Sequence, residues 1–388
     1  MALPFFGIYL LEARGVSLAS TGLVYFVAGI LSLGSQVVGG RLTDAIGPKK
    51  VMLAGYCTSI LTSLTLGTMV LEGSSPIFFF IAYPLFSLLR GFSNPATGSI
   101  IAEQPVDQLR PGYNLLTIGG NLGFAIGPAL GGPITDLFGY STVFFLSAII
   151  VLPVIVLTVL MIRGGIRHRR EDQGVAKRNL SWKDDRSIVL FLVLTGCLFV
   201  SVGYEITPIS LFVAHFLSFS NTQIGYLFAT NGLVIVLLQF PLISLMQRSR
   251  NLILPLLISP LCVIASFVMA ALSTGFLEYE GVMVAITLGE ILLTVPSQLV
   301  ITLFSRSGNR GTYQGYYYAA TNSGRSIASA VGPTSFELFA FAPALGWYAV
   351  AAFTLCVFFG FLFLGPRIQR DYERNAAVEE HFLRAAKG

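Results

Sequence analysis

Four ionisable residues, Arg90, Glu205, Glu290 and Arg325, stand in stretches that are otherwise almost wholly apolar. An unpaired charge at the centre of an apolar, membrane-length helix costs about 3 kcal/mol, so each is read first as functional. Two acids and two bases can neutralise one another in pairs. A carboxyl facing a cavity beside an arginine can also release and take up protons, as the arginine alternately pairs with it and moves away. That chemistry is proton coupling. Glu290 is the first choice as proton carrier because it is the more central in its stretch; Glu205, three residues before Pro208, is the second. Asn322 stands one helical turn before Arg325 and keeps that face polar. The plainer reading is that one or more of these residues forms a static structural lock.

Composition decides the solvent around them. Of 388 residues, 54% are hydrophobic and 11% charged, and the mean hydropathy is +0.76. Soluble proteins carry about 25% charged residues, so lipid is the expected surroundings. Apolar runs of membrane-crossing length fall near 17–40, 51–71, 76–101, 113–135, 138–162, 187–210, 221–246, 251–274, 281–304, 312–336 and 340–365. Ahead of them, Ala2 to Leu11 is apolar but too short to cross alone. The net charge of +5 follows topology and implies no nucleic acid. If the turn at Asp44 is cytoplasmic, alternation places 21 of the 24 Lys and Arg in inside loops or the tail, leaving only Arg14 outside and Arg90 and Arg325 within spans. The positive-inside rule asks for that partition and fixes orientation and span count together. Cys57, Cys197, Cys262 and Cys356 all fall within spans, which implies neither disulfides nor a metal centre.

The polar stretch 163–186 divides the chain. It separates an N-terminal bundle, 1–162, from a C-terminal bundle, 187–366, and the tail 367–388 follows. The bundles repeat one another. Pro4 to Gly22 matches Pro208 to Gly225, Gln36 matches Gln239, Gly127-Pro128 matches Gly332-Pro333, and Arg90 and Glu290 fall at equivalent positions 200 residues apart. A weak repeat over six-helix halves is how many secondary transporters are built. Residues 187–207 precede Pro208 in its span, but only three residues precede Pro4. The first helix is therefore expected to lack its first half, leaving a lipid- or water-filled notch beside the 113–135 and 138–162 spans.

Gly123, Gly127 and Gly131, spaced by four, form a groove that admits a neighbouring helix. Pro128 removes a backbone donor and bends that span, and Gly132 extends the small-residue run. Generic close packing is the bland alternative. The pocket wall is expected from polar and aromatic side chains near mid-membrane: Tyr9, Gln36, Tyr83, Asn121 and Tyr204 among them. Asn231, Gln239, Gln298, Tyr317 and Asn322 complete that set. The chain shows no phosphate-binding loop, zinc-ligand spacing or nucleophile elbow, so neither catalysis nor a cofactor is expected. Any coupling must come from an ion gradient.

Gly40, Asp44, Gly47, Lys49 and Lys50 lie in the segment Gly-Arg-Leu-Thr-Asp-Ala-Ile-Gly-Pro-Lys-Lys. This resembles the signature between the second and third helices of the major facilitator superfamily, except that Ala45 stands where a basic residue is usual. The run Gly119 to Gly132 resembles the antiporter motif of drug–proton exchangers in that superfamily. Arg90-Gly-Phe-Ser-Asn-Pro loosely resembles the family's fourth-helix motif, and Gly289-Glu290 resembles several bacterial drug-exporter-like members. The resemblance implies an all-α, twelve-helix fold in two six-helix bundles that works by alternating access, with the Asp44 segment gating. It implies a multi-pass protein of a prokaryotic inner membrane, with both termini cytoplasmic and no partner chain. The expected activity is proton-coupled export of small amphipathic molecules. The alternatives are uptake of a sugar, peptide or organic acid by symport or facilitation, and a membrane sensor that binds without transporting. A cysteine placed at Ser74 should react with an impermeant extracellular label while one at Gly174 does not; the reverse pattern would overturn this orientation.

Overall fold

The computed structural model describes residues 1–102, 106–162, 186–249, 253–304 and 310–385. Among them there are helices and no strand, which suits lipid, where each backbone polar group must be satisfied within its own segment. Glycine and proline write the turns. Helix α1 (Leu3–Ile8) continues as a π-turn (Tyr9–Ala13). Helix α2 (Leu18–Ile46) begins at Ser17, whose hydroxyl accepts the Ser20 amide at 3.2 Å. It stops at Gly47, φ +88°, and Pro48 opens α3 (Pro48–Leu71). A left-handed glycine followed by a proline at the first helical position ends one helix and starts the next. The signature segment is therefore helical as far as Ile46 and turns at Gly47 alone.

Next come α4 (Pro76–Gly91), α5 (Asn94–Ala102), α6 (Val106–Phe138) and α7 (Tyr140–Met161). The α6–α7 junction is another positive-φ glycine, Gly139 at +84°. Helix α8 (Arg186–Val202), a 3-10 turn (Gly203–Glu205) and α9 (Thr207–Leu217) occupy one helix position. Pro208, with no amide hydrogen, cannot continue the hydrogen-bond ladder across that break. Helices α10 (Asn221–Ser249), α11 (Ile253–Leu272), α12 (Phe276–Phe304), α13 (Arg310–Leu338) and α14 (Ala344–Ala385) complete the described chain. With α4–α5 and α8–α9 each counted once, the fourteen helices occupy the twelve positions read from the sequence. Among the described residues, eight candidate spans are long and apolar enough to cross a membrane, and large apolar side chains such as Leu71, Leu160 and Phe363 lie exposed, as lipid-facing residues should.

By their contacts the residues group into two compact units: Met1–Arg169 with Tyr204–Val236 and Ser326–Pro343, and Arg170–Gly203 with Leu237–Arg325 and Ala344–Gly388. This grouping follows packing, whereas the 1–162 and 187–366 halves follow chain order. Residues 163–185 of the expected linker lie outside the described residues. The first unit centres on Phe6, which stacks on Tyr83 at 4.4 Å and meets Tyr25 and Phe144 edge-on. In the second, Trp347 stacks on Phe267, and the Tyr279 hydroxyl donates to the Ala270 carbonyl at 3.0 Å.

Glycines set the closest helix approaches in the second unit. A Cβ on Gly324 of α13 would strike the Gly196 carbonyl and Phe199 of α8, while one on Gly315 of the same helix meets nothing within 4 Å among the described residues. Gly324→Val should therefore lower the thermal midpoint of the purified protein by overpacking, a loss of about 1–3 kcal/mol. Gly315→Ala should be neutral or stabilise by up to about 1 kcal/mol. Equal effects at the two positions would refute the α8–α13 contact.

Candidate functional site

Of the four ionisable residues, the fold brings two together. Arg325 of α13 donates through Nη2 to Oε1 of Glu290 on α12 in a charge-assisted bond, with side chains 26% and 15% exposed. Each partner directly follows a glycine that anchors its helix. Gly289 lies against Val263 and the Ser259 carbonyl of α11, and the Ser259 hydroxyl donates to the Gly289 carbonyl at 2.6 Å. Gly324 brings α13 onto α8. The pair is thus fixed at two backbone contacts. The Arg325 guanidinium also lies 5.2 Å from the centre of the Phe199 ring, close enough for a cation–π contact. Tyr317, 2% exposed, packs edge-on against Phe199, and its buried hydroxyl has no hydrogen-bond partner among the described residues.

The other two ionisable residues belong to the first unit. Glu205 ends the 3-10 turn between α8 and α9 and is almost fully buried. It accepts a hydrogen bond from Asn231 Nδ2 at 3.3 Å, so two residues singled out separately in the sequence meet. Tyr204 beside it packs edge-on against Phe336. Arg90, exposed near the end of α4, lines a cavity of about 400 Å³ together with Tyr83, Phe124, Phe144 and Ser147. That cavity runs beside α6 and α7. Tyr9 is buried, and its hydroxyl donates to the Val70 carbonyl at 3.5 Å. Gln36, Asn121, Gln239, Gln298 and Asn322 are half-buried on α2, α6, α10, α12 and α13.

The glycine run of α6 faces two ways. Gly127 and Gly131 look onto Met1 and Phe5, whereas Gly132 and Pro128 meet α10, at Asn221 and Gly225; among the described residues nothing lies within 4 Å of a Cβ on Gly123. In the signature segment, Lys49 Nζ donates to the Val159 carbonyl at 2.8 Å near the end of α7, where unpaired carbonyls favour a cation. Lys50 is exposed, and a Cβ on Gly40 would meet nothing within 4 Å. The Asp44 side chain lies outside the described residues. Phe199 was missed in the sequence reading, because an aromatic within an apolar span carries no signal there.

Comparison with known proteins agrees with this architecture. A profile of the "Major Facilitator Superfamily" matches residues 1–329. The "Uncharacterized MFS-type transporter YttB" of Bacillus subtilis (strain 168) is 26% identical over 347 residues, covering 85% of this chain and 82% of its own. The "Multidrug resistance protein MdtG" of Escherichia coli O9:H4 (strain HS) is 25% identical over 351 residues, covering 86% and 82%. Among solved structures, a point mutant of the nucleoside transporter NupG superposes with a TM-score of 0.76 at 15% identity, covering 93% of this chain and 94% of its own. A POT family transporter in complex with a thioalcohol-conjugated peptide gives 0.77 at 14%, covering 95% and 94%. At those identities the two structures speak to fold alone. With a matching profile along most of the chain, twelve helix positions and apolar membrane-length spans, this protein is a multi-pass membrane transporter that belongs to the major facilitator superfamily.

Proposed function

We propose that this transporter exports small amphipathic molecules in exchange for protons, with Glu290 as proton carrier and Arg325 as its counter-ion. The observation that carries the reading is the Glu290–Arg325 pair, a carboxylate and a guanidinium in direct contact and largely screened from solvent. When a proton neutralises Glu290, Arg325 loses its counter-ion. It then keeps the Phe199 ring face, against which Tyr317 packs. A largely buried charge that loses its counter-ion is destabilised, so the protonated site favours a different helix arrangement. That is how a proton can bias alternating access. Export, rather than uptake, is supported by the relationship to MdtG, named a multidrug resistance protein, and by the antiporter-like run on α6. No covalent chemistry is needed.

The test uses purified protein in liposomes with an imposed pH gradient and labelled amphipathic cations. Glu290→Gln mimics the permanently protonated carboxyl. It should abolish gradient-driven accumulation, spare substrate binding and remove the dependence of that binding on pH. If Glu205→Gln has these effects and Glu290→Gln does not, the roles are exchanged. If both pump normally, these acids are structural.

Direction is tested separately. Adding substrate to the unbuffered protein should release protons if transport is antiport, whereas proton uptake would favour symport. Absence of any substrate movement would favour a sensor.

A further inference from the structure

In the first unit, two carboxylates seat themselves on the N-termini of facing helices. At the end of α6, Asp136 accepts four hydrogen bonds from the start of α10. Its Oδ1 takes the Asn221 amide at 3.2 Å and Asn221 Nδ2 at 2.8 Å; its Oδ2 takes the Thr222 amide at 2.8 Å and Thr222 Oγ1 at 2.6 Å. At the end of α13, Glu337 Oε2 accepts the Ala19 amide, in the first turn of α2, at 2.7 Å. The first amides of a helix have no partner within it, and its positive end favours an anion. Each helix satisfies part of that need itself. Ser17 caps the Ser20 amide of α2, and Ser220 and Gln223 cap one another reciprocally at the start of α10. The amides they leave are those that the crossing carboxylates take.

The two arrangements are related by the internal repeat. Ser17 and Ser220 are 203 residues apart, as are Gly22 and Gly225, and Asp136 and Glu337 are 201 apart. The backbone crossings beside the carboxylates repeat too. A Cβ on Gly225 would strike the Pro128 carbonyl, and one on Gly22 the Ser329 carbonyl and the Pro333 ring. Each clasp therefore joins a helix of the N-terminal half of the sequence to one of the C-terminal half, beside a glycine–proline crossing. Glu12 Oε1 and His215 Nδ1 add an exposed polar contact of 3.0 Å between the π-turn and α9. Burial alone would push the Asp136 carboxyl up, but its hydrogen bonds outweigh this and hold it below the usual carboxylate range. It therefore stays ionised and accepts at both oxygens.

We infer that Asp136 and Glu337 are paired gate residues, which hold one end of the transport pathway closed by capping the helices that must move away for it to open. The inference rests on alternating access, not on which ion or substrate is carried. Asp136 is the stronger latch, with four bonds against one.

The experiment reads conformation rather than transport. With the native cysteines replaced by serine, spin labels at Phe138→Cys and Tyr226→Cys report the α6–α10 end, and labels at Leu23→Cys and Leu338→Cys report α2–α13. Asp136→Asn with Glu337→Gln removes both charges and, at position 136, turns an amide donor towards one pair of donors. It should shift the ratio of long- to short-distance populations about tenfold, equal to about 1.4 kcal/mol. Asp136→Glu should retain most of the short-distance population. If the double variant does not fold, Glu337→Gln alone decides: about a threefold shift on α2–α13 is expected. Unchanged distances in whichever variant is measured, or Asp136→Glu opening the gate as far as Asp136→Asn does, would overturn the inference. Normal pumping by the Glu290→Gln variant would sink the proton-carrier reading and leave these distances unaffected, so the two proposals can fail separately.

Discussion

A charge inside an apolar bundle needs a counter-charge, and in the second unit that requirement involves four helices. Glu290 and Arg325 meet only because α12 is held on α11 at Gly289 and α13 on α8 at Gly324. Enlarging either glycine would separate the helices before it touched the charges. The magnitudes also limit what the pair can do. Removing one partner of a buried ion pair costs about 3–5 kcal/mol, whereas a cation–π contact such as that of Arg325 with Phe199 returns about 1–2 kcal/mol. Phe199 therefore softens protonation of Glu290 without cancelling its cost.

Much of the fold was legible because lipid leaves few choices. Membrane-length apolar runs and the turn between the 17–40 and 51–71 spans were readable along the chain, whereas Gly139 and Pro208, read as lying within the 138–162 and 187–210 spans, stand at a helix junction and a helix break. Less legible was where an apolar span ends. The 17–40 run continues to Ile46 because Arg41 and Thr43 are no barrier to a helix once it leaves hydrocarbon. The sites divide in the same way. That Glu290, Glu205, Arg325 and Asn231 were special could be read from polarity in apolar surroundings. Their partners could not, since pairing depends on which helix faces which, and no spacing along the chain states that. Asp136 and Glu337 escaped notice for the opposite reason. At span ends a carboxylate is ordinary, and only its place over another helix's amides gives it meaning.

The glycine-rich run on α6 shows how one motif can serve two neighbours. Residues spaced by four share a helical face, so Gly127 and Gly131 both lie against the chain start at Met1 and Phe5. Gly132 is one position round, about 100° away on an α-helix, and there α10 crosses so closely that only a hydrogen fits. The bend expected from Pro128 has a further consequence. Its carbonyl is the atom that Gly225 approaches, so the proline shapes the surface on which α10 rests.

A transporter that alternates between states needs closures strong enough to hold and weak enough to release. Moving a population from 1:99 to 99:1 takes about 5.5 kcal/mol of differential binding, so any closure must lie within a few kcal/mol of its open form. A large apolar interlock would exceed that, at about 25 cal/mol for each Å² kept dry. Carboxylates on helix N-termini are of the right size. Each contributes about 0.3–1 kcal/mol, up to about 2 when partly buried, and on opening water can replace the bonds at the exposed ends where Asp136 and Glu337 lie. The glycine crossings beside them add shape without much apolar area, because glycine offers no side chain to bury. Fit comes from backbone contact and hold from a few polar bonds, which lets the two be broken together at modest cost.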